Sequence, residues 1–219
     1  MQNIPRVKVC GLTNIEQALK CAELGADAIG FVFYLKSPRN LADDMAREIC
    51  SALPSEVKKV GVFVNETFSN IMRKAEHCNL DIVQLHGQES PQLVSRLCNE
   101  NLMVVKALFT GREPFLEDVS GYAASAYLAE CGKGVLPGGN ALVWNWEKAR
   151  SFGENNPLIL AGGLSPDNVS HAVDACMPDA VDVSSGVESG PGQKDVAKVE
   201  AFLNAVAECF INREIRKIF

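Results

Sequence analysis

The sequence predicts an α/β protein built as a single (β/α)₈ barrel, and two observations carry that prediction. Eight apolar, strand-like runs recur along the 219 residues, and stretches of helical spacing lie between most of them. Runs apolar on both faces are what a parallel sheet needs when helices cover it. Eight such units in about 210 residues suggest closure into a barrel with short connections. An open doubly wound sheet is the alternative.

The strand runs are RVKVC at 6–10, DAIGFVF at 27–33, KKVGVFV at 58–64 and DIVQL at 81–85. They continue with LMVVKAL at 102–108, SAYLAE at 125–130, LILAG at 158–162 and AVDVSS at 180–185. Ile15, Ala18, Leu19 and Ala22 form a helical stripe after the first strand. Phe68, Ile71, Met72 and Ala75 form another, and Val169, Ala172, Val173 and Cys176 a third. Val196, Val199, Leu203, Val206 and Phe210 form the last. Ser90-Pro91 and Ser165-Pro166 read as an N-cap followed by proline at the first helical position. The stretches 111–120 and 145–152 carry poorer helical patterns and are also read as helices. The tail INREIRKIF, 211–219, reads as a last helical turn or a variable end rather than a membrane anchor. With no internal linker or low-complexity tract, residues 1–219 are expected to form one domain with its core at 6–208.

Composition narrows the function. The formal net charge is −6, and no local run is basic enough for a nucleic-acid groove. Apolar residues make up 47%, but no run is long enough to span a membrane. The N-terminus MQNIPRVKVCGLTN has no signal-like stretch, so a cytoplasmic location is expected. The eight cysteines never form C-x-x-C, and several fall at the apolar positions of helical patterns. They read as buried hydrophobes in a reducing compartment, with no metal site.

In such a barrel the chemistry gathers where strands end and loops begin. The residues there are Cys10-Gly11, Arg39, Gln84 and His86, Lys106, Glu130, Gly162-Gly163, and Asp182 through Gly186. Gly162-Gly163 follows the seventh strand, and Ser184-Ser185-Gly186 follows the eighth. Small residues in these two loops let backbone N–H groups approach an anion, so a phosphate site is expected there; plain turn chemistry is the alternative. Cys10 is either core filler or, facing such a site, a base or nucleophile. Gln84 and His86, two apart on a strand, share a face and would both reach a ligand at the barrel mouth. Arg39 is either a solvated loop charge or a clamp on an anionic group.

VKVCGLTN, GADAIGFVFYLKSPR, VGVFVNE, VQLHGQE, VVKAL, LAGGLSPDNV and AVDVSSGVESGPGQKD resemble the phosphoribosylanthranilate isomerase family. These motifs run from about residue 6 to 208 in the family's order. The resemblance implies a (β/α)₈ enzyme of tryptophan biosynthesis. It would convert N-(5′-phosphoribosyl)anthranilate to 1-(2-carboxyphenylamino)-1-deoxyribulose 5-phosphate by an Amadori rearrangement, with no cofactor or metal. A general acid opens the furanose to an iminium, and a general base then takes the C2′ proton. By resemblance, Cys10 is the base and Arg39 engages the anthranilate part. Gly162, Gly163, Ser185 and Gly186, with Ser184 beside them, form the phosphate cradle. Asp182 lies near the anthranilate nitrogen, where its charge would stabilise an iminium; a structural role, orienting Lys8 or Lys106, is the alternative. A monomer is expected rather than a homodimer.

The chain departs from the family at the acid. Where a strand ending in Leu-Asp is expected, it has Ala129-Glu130, and Glu130 is assigned the acid role. Asn140-Ala141 and Asn145 replace other family residues in the following loop, while Gly138-Gly139 and Trp146 are retained. Three readings stay open at this point: Glu130 replaces the aspartate, Ala129 takes its place with Glu130 facing away, or the chain is a non-catalytic phosphate-binding barrel that has lost its acid. An isomerase or aldolase of a related sugar phosphate is a further alternative.

Overall fold

The computed structural model describes residues 3–133, 138–139 and 142–219. Asn140 and Ala141, two of the departures noted above, lie outside the described residues. Eight parallel strands form a closed barrel: β1 (Arg6–Cys10), β2 (Ala28–Phe33), β3 (Lys58–Phe63), β4 (Ile82–Leu85), β5 (Met103–Phe109), β6 (Ala126–Glu130), β7 (Leu158–Leu160) and β8 (Ala180–Val183). Each pairs with the next, and β8 returns to β1 with Lys8 opposite Asp182. The open-sheet alternative is thereby excluded.

Side chains alternate across each strand. Val7 and Val9, Ile29 and Phe31, Val83 and Leu85, Tyr127 and Ala129, and Val181 and Val183 join the layer between barrel and helices. Ala28, Val60, Ile82, Val105, Leu128, Ile159 and Ala180 fill the barrel itself. The same alternation puts Lys8, Cys10, Gln84, Glu130 and Asp182 on the inner face.

The covering helices are α1 (Ile15–Glu23), α2 (Asp43–Ala52), α3 (Phe68–His77), α4 (Pro91–Cys98), α5 (Arg150–Asn155), α6 (Val169–Cys176) and α7 (Val196–Ala207). Ser90 caps α4 as expected, accepting from the Leu93 amide, with Pro91 in the first turn. Such a cap contributes about 1 kcal/mol.

Four expectations are corrected. The 111–120 stretch yields only a 3₁₀ segment, Leu116–Gly121, and 145–152 yields a 3₁₀ turn, Trp146–Ala149, leading into α5. Ser165 is not the side-chain cap of α6. Its N–H donates to Asn168 Oδ1 at 2.8 Å, its carbonyl accepts from the Val169 amide at 3.1 Å, and the helix begins at Val169. Phe210 falls beyond the end of α7 and is 61% exposed, so it does not extend that helix's apolar stripe.

The tail is neither a helical turn nor a loose end. Ile211 donates its N–H to the Asn3 carbonyl, and Ile218 packs into the barrel-interior cluster with Phe219 against it. Arg213 and Arg216 both pair with the buried Asp179 at the foot of β8. The tail thus plugs the end of the barrel opposite the strand C-termini. Seven of the eight cysteines are buried, as expected, and Cys98 is half-buried. Among the described residues no helix is long and apolar enough to cross a membrane.

Candidate active site

The C-terminal ends of the strands surround one pocket with an empty volume of about 770 Å³, mouth included. It is lined by Cys10 from β1, Arg39 after β2, Gln84 and His86 from β4, Glu130 from β6 and Asp182 from β8. Gly162, Gly163, Ser184, Ser185 and Gly186 complete it, so the site residues read from the sequence converge on one place. Lys106 is the exception among the strand-end candidates. It is buried beside β4, donating to the Gly87 carbonyl and pairing with Glu89 at 2.8 Å, and it holds the loop after β4.

Glu130, not Ala129, faces the pocket: Ala129 packs outward into the core beneath the helices. Asp182 pairs with the fully buried Lys8 at 2.9 Å while lining the pocket, so it orients Lys8, not Lys106, and also faces any ligand. Burial alone would lower the Lys8 ammonium, but Asp182 and then Cys10 hold it above its ordinary value.

Burial pushes the Cys10 thiol up from its ordinary value, and Lys8 pulls it back without prevailing. Cys10 therefore rests as a thiol at neutral pH, and the thiolate forms as pH rises. Glycine at position 30 makes room for it: a Cβ there would lie 2.7 Å from the Cys10 sulfur.

The two expected phosphate loops touch. A Cβ on Gly186 would meet the Leu164 carbonyl oxygen at 1.9 Å, so only glycine allows this approach. Gly163 sits at φ +72°, and a Cβ there would lie 2.5 Å from the Val143 nitrogen. The Ser184 hydroxyl donates to the Cys10 carbonyl at 3.0 Å, tying the eighth strand's loop to the first strand.

Arg39 is held by a residue that the sequence reading missed. Glu188 accepts from Arg39 Nε at 2.8 Å and Nη2 at 2.6 Å, and also from Lys194 Nζ at 2.7 Å. Burial raises the Glu188 carboxyl, but the bond from Arg39 and the charge of Lys194 outweigh it and hold the group below its ordinary value. Burial lowers the Lys194 ammonium. Both Glu188 and Lys194 stand inside the motif AVDVSSGVESGPGQKD, but nothing in the motif announces a pairing with residue 39. With Nε and Nη2 turned to Glu188, Nη1 lies beside Gly139, where a Cβ would come within 2.6 Å of it.

Glu130 Oε2 lies 3.0 Å from His86 Nε2, and Gln84 Nε2 lies 3.0 Å from His86 Nδ1. Gly138 covers this chain, with room for no Cβ over His86 Nε2. Trp144, another residue missed in the sequence, donates its indole N–H to the Ala161 carbonyl at 2.9 Å, and Trp146 donates to Gly162 at 3.2 Å. These two bonds lay Trp144 and Trp146 across the end of β7. Among the described residues no cluster of ligands could hold a metal ion.

The family model described as N-(5′phosphoribosyl)anthranilate (PRA) isomerase matches residues 7–205. The chain belongs to that family. It is thus an isomerase of the PRA isomerase family, which serves tryptophan biosynthesis. The N-(5′-phosphoribosyl)anthranilate isomerase of Desulfatibacillum aliphaticivorans is 51% identical to it over 98% of each chain. The crystal structure of phosphoribosyl anthranilate isomerase from Thermotoga maritima superposes with a TM-score of 0.86 and 40% identity, covering 93% of this chain and 99% of that one. A PRA isomerase structure in complex with reduced 1-(o-carboxyphenylamino)-1-deoxyribulose 5-phosphate matches with a TM-score of 0.83 at 40% identity, over 93% and 99% of the two chains.

Proposed function

We propose that the chain converts N-(5′-phosphoribosyl)anthranilate to 1-(2-carboxyphenylamino)-1-deoxyribulose 5-phosphate, with Cys10 as general base and Glu130 as general acid. The observation that carries this reading is that Cys10, on β1, and Glu130, on β6, line the same pocket as the glycine cradle. An Amadori rearrangement needs an acid and a base around one sugar.

Glu130 gives its proton to the ring oxygen. The C1′–O4′ bond breaks and the anthranilate nitrogen lone pair closes an iminium. The Cys10 thiolate takes the C2′ proton, leaving an enolamine. Gain of a proton at C1′ and loss of the C2′ hydroxyl proton give the ketone, so substrate and product are isomers with protons in balance. No cofactor or metal enters.

The phosphate lies against the backbone of Gly162, Gly163, Ser184, Ser185 and Gly186. Ser184 contributes main chain, because its hydroxyl is engaged on Cys10. Arg39 meets the anthranilate carboxylate through Nη1, the nitrogen that Glu188 leaves. Asp182 faces the anthranilate nitrogen and stabilises the iminium. Val32, Val62 and Val64 offer the ring an apolar wall. His86 reaches the ligand beside Glu130, with Gln84 behind it. The enzyme acts as a cytoplasmic monomer.

The placement of Glu130 in the pocket favours this reading over a barrel that has lost its acid. Incubating the purified chain with N-(5′-phosphoribosyl)anthranilate and following loss of its fluorescence tests it. Binding without conversion would leave the non-catalytic alternative.

A further inference from the structure

Gln84, His86 and Glu130 form a buried chain of hydrogen bonds whose proton content depends on which way one amide points. The two contacts are each 3.0 Å, and Gln84 is 1% exposed. Gln84 Oε1 is buried with no hydrogen-bond partner among the described residues. Turning the amide end for end exchanges oxygen and nitrogen and leaves the shape unchanged.

Each orientation dictates a protonation state. With Gln84 Nε2 toward the ring, His86 Nδ1 must accept. The ring proton then sits on Nε2 and donates to Glu130, which is a bare carboxylate with nothing to give. With Oε1 toward the ring, Nδ1–H donates to it. The contact between His86 Nε2 and Glu130 then needs one further proton, carried by the carboxyl or by the ring. Only this second arrangement holds a transferable proton at Glu130.

We propose that Gln84 and His86 are positioning residues that load the acid. In the active form Gln84 presents Oε1, His86 carries a proton on Nδ1, and a second proton is shared between its Nε2 and Glu130. When Glu130 gives that proton to the ring oxygen of the sugar, a carboxylate is left facing a ring lone pair. This unfavourable contact draws a proton back from solvent and resets the acid. The orientation with Nε2 inward is the form one proton poorer, which accumulates at alkaline pH.

Among the described residues the charges near the pair come from several elements. Arg112 stacks on Phe109, 3.9 Å from the ring centroid, and its charge interacts with Glu130, Glu89 and Cys131. Lys106 and Glu89 neutralise one another under the loop after β4, and Lys8, Asp182, Cys10 and Arg39 stand on other strands and loops of the pocket. Gly138 packs over His86 Nε2, where a Cβ would come within 2.9 Å of the ring nitrogen.

The inference rests on the reading of Glu130 as the acid, and the tests separate the two. Gln84→Glu accepts from Nδ1–H in either rotamer, so its rate should persist to higher pH than wild type. Gln84→Met cannot accept in that way and should lose about 10-fold or more in kcat at pH 8, with KM within about twofold. In ¹⁵N-histidine spectra, His86, assigned by its loss in His86→Asn, should carry a proton on Nδ1 at the pH of maximal rate. Unchanged pH–rate profiles in both Gln84 variants, or the Nε2–H tautomer at every pH, overturn the inference. Wild-type kcat in Glu130→Gln would instead overturn the assignment of the acid.

Discussion

Glu188 holds Arg39 by two hydrogen bonds, from Nε at 2.8 Å and from Nη2 at 2.6 Å, across 149 residues of sequence. The carboxylate also faces Lys194, so one acid balances two buried cations. Removing it leaves both cations without their carboxylate, with Lys194 keeping only the Ser184 carbonyl and hydroxyl, and breaking a buried pair in this way costs about 3–5 kcal/mol. Glu188→Ala should therefore lower the unfolding free energy by that order, measured from denaturant midpoints.

The same residue sets an acid limit. Its folded-state carboxyl titrates below the ordinary 4.5, so its contribution is fully present above that value and is lost as pH falls through the depressed one. Urea titrations should show wild type losing stability below about pH 4.5 more steeply than Glu188→Gln. Parallel curves would mean that the triad is not coupled to folding.

Cys10 fixes the acidic side of the rate profile. Burial holds its thiol above the ordinary value, so the thiolate is a minor fraction at neutral pH and grows as pH rises. Below that titration kcat/KM should climb about tenfold per pH unit. Cys10→Ser should keep ligand binding and lose at least ~10²-fold in kcat, because a hydroxyl is a far poorer base. Near wild-type kcat in that variant would assign the base elsewhere.

The cradle is tested by a single methyl group. Gly186→Ala places a Cβ 1.9 Å from the Leu164 oxygen, forcing the two loops apart. Overpacking of this kind costs about 1–3 kcal/mol, and KM should rise about tenfold or more. Competitive inhibition by inorganic phosphate should weaken in step. Unchanged inhibition would place the phosphate outside these loops.

At the far end of the barrel Ile218 is 1% exposed within the interior cluster. Ile218→Ala should destabilise by about 2 kcal/mol, the low end for such truncations, because a chain end can shift to fill the gap. Calorimetry would show this as a lower Tm with kcat unchanged. An unchanged Tm would mean that the tail does not contribute to the core.

The inner ring of the site was legible because it follows from alternation. Once RVKVC, DIVQL, SAYLAE and AVDVSS are read as strands, period two sends Cys10, Gln84, Glu130 and Asp182 to one side. The glycines were legible because two small-residue loops fall after the seventh and eighth strands. Hydrogen-bond partners were not. Nothing local in Glu188 or Lys194 distinguishes a clamp on Arg39 from a solvated loop charge, since their pairing depends on barrel closure. Local pattern also misled at Ser165, where the side chain of Asn168 holds the turn, and in the tail, whose apolar residues are buried by a surface formed only when the strands meet.

The most direct test is conversion of N-(5′-phosphoribosyl)anthranilate, followed by loss of its fluorescence, in wild type and Glu130→Gln side by side. The expected result is turnover by wild type and a fall in kcat of at least ~10²-fold in Glu130→Gln with little change in KM. No turnover by the wild-type chain, or equal kcat in the two proteins, would contradict the assignment of Glu130 as the acid that opens the sugar ring.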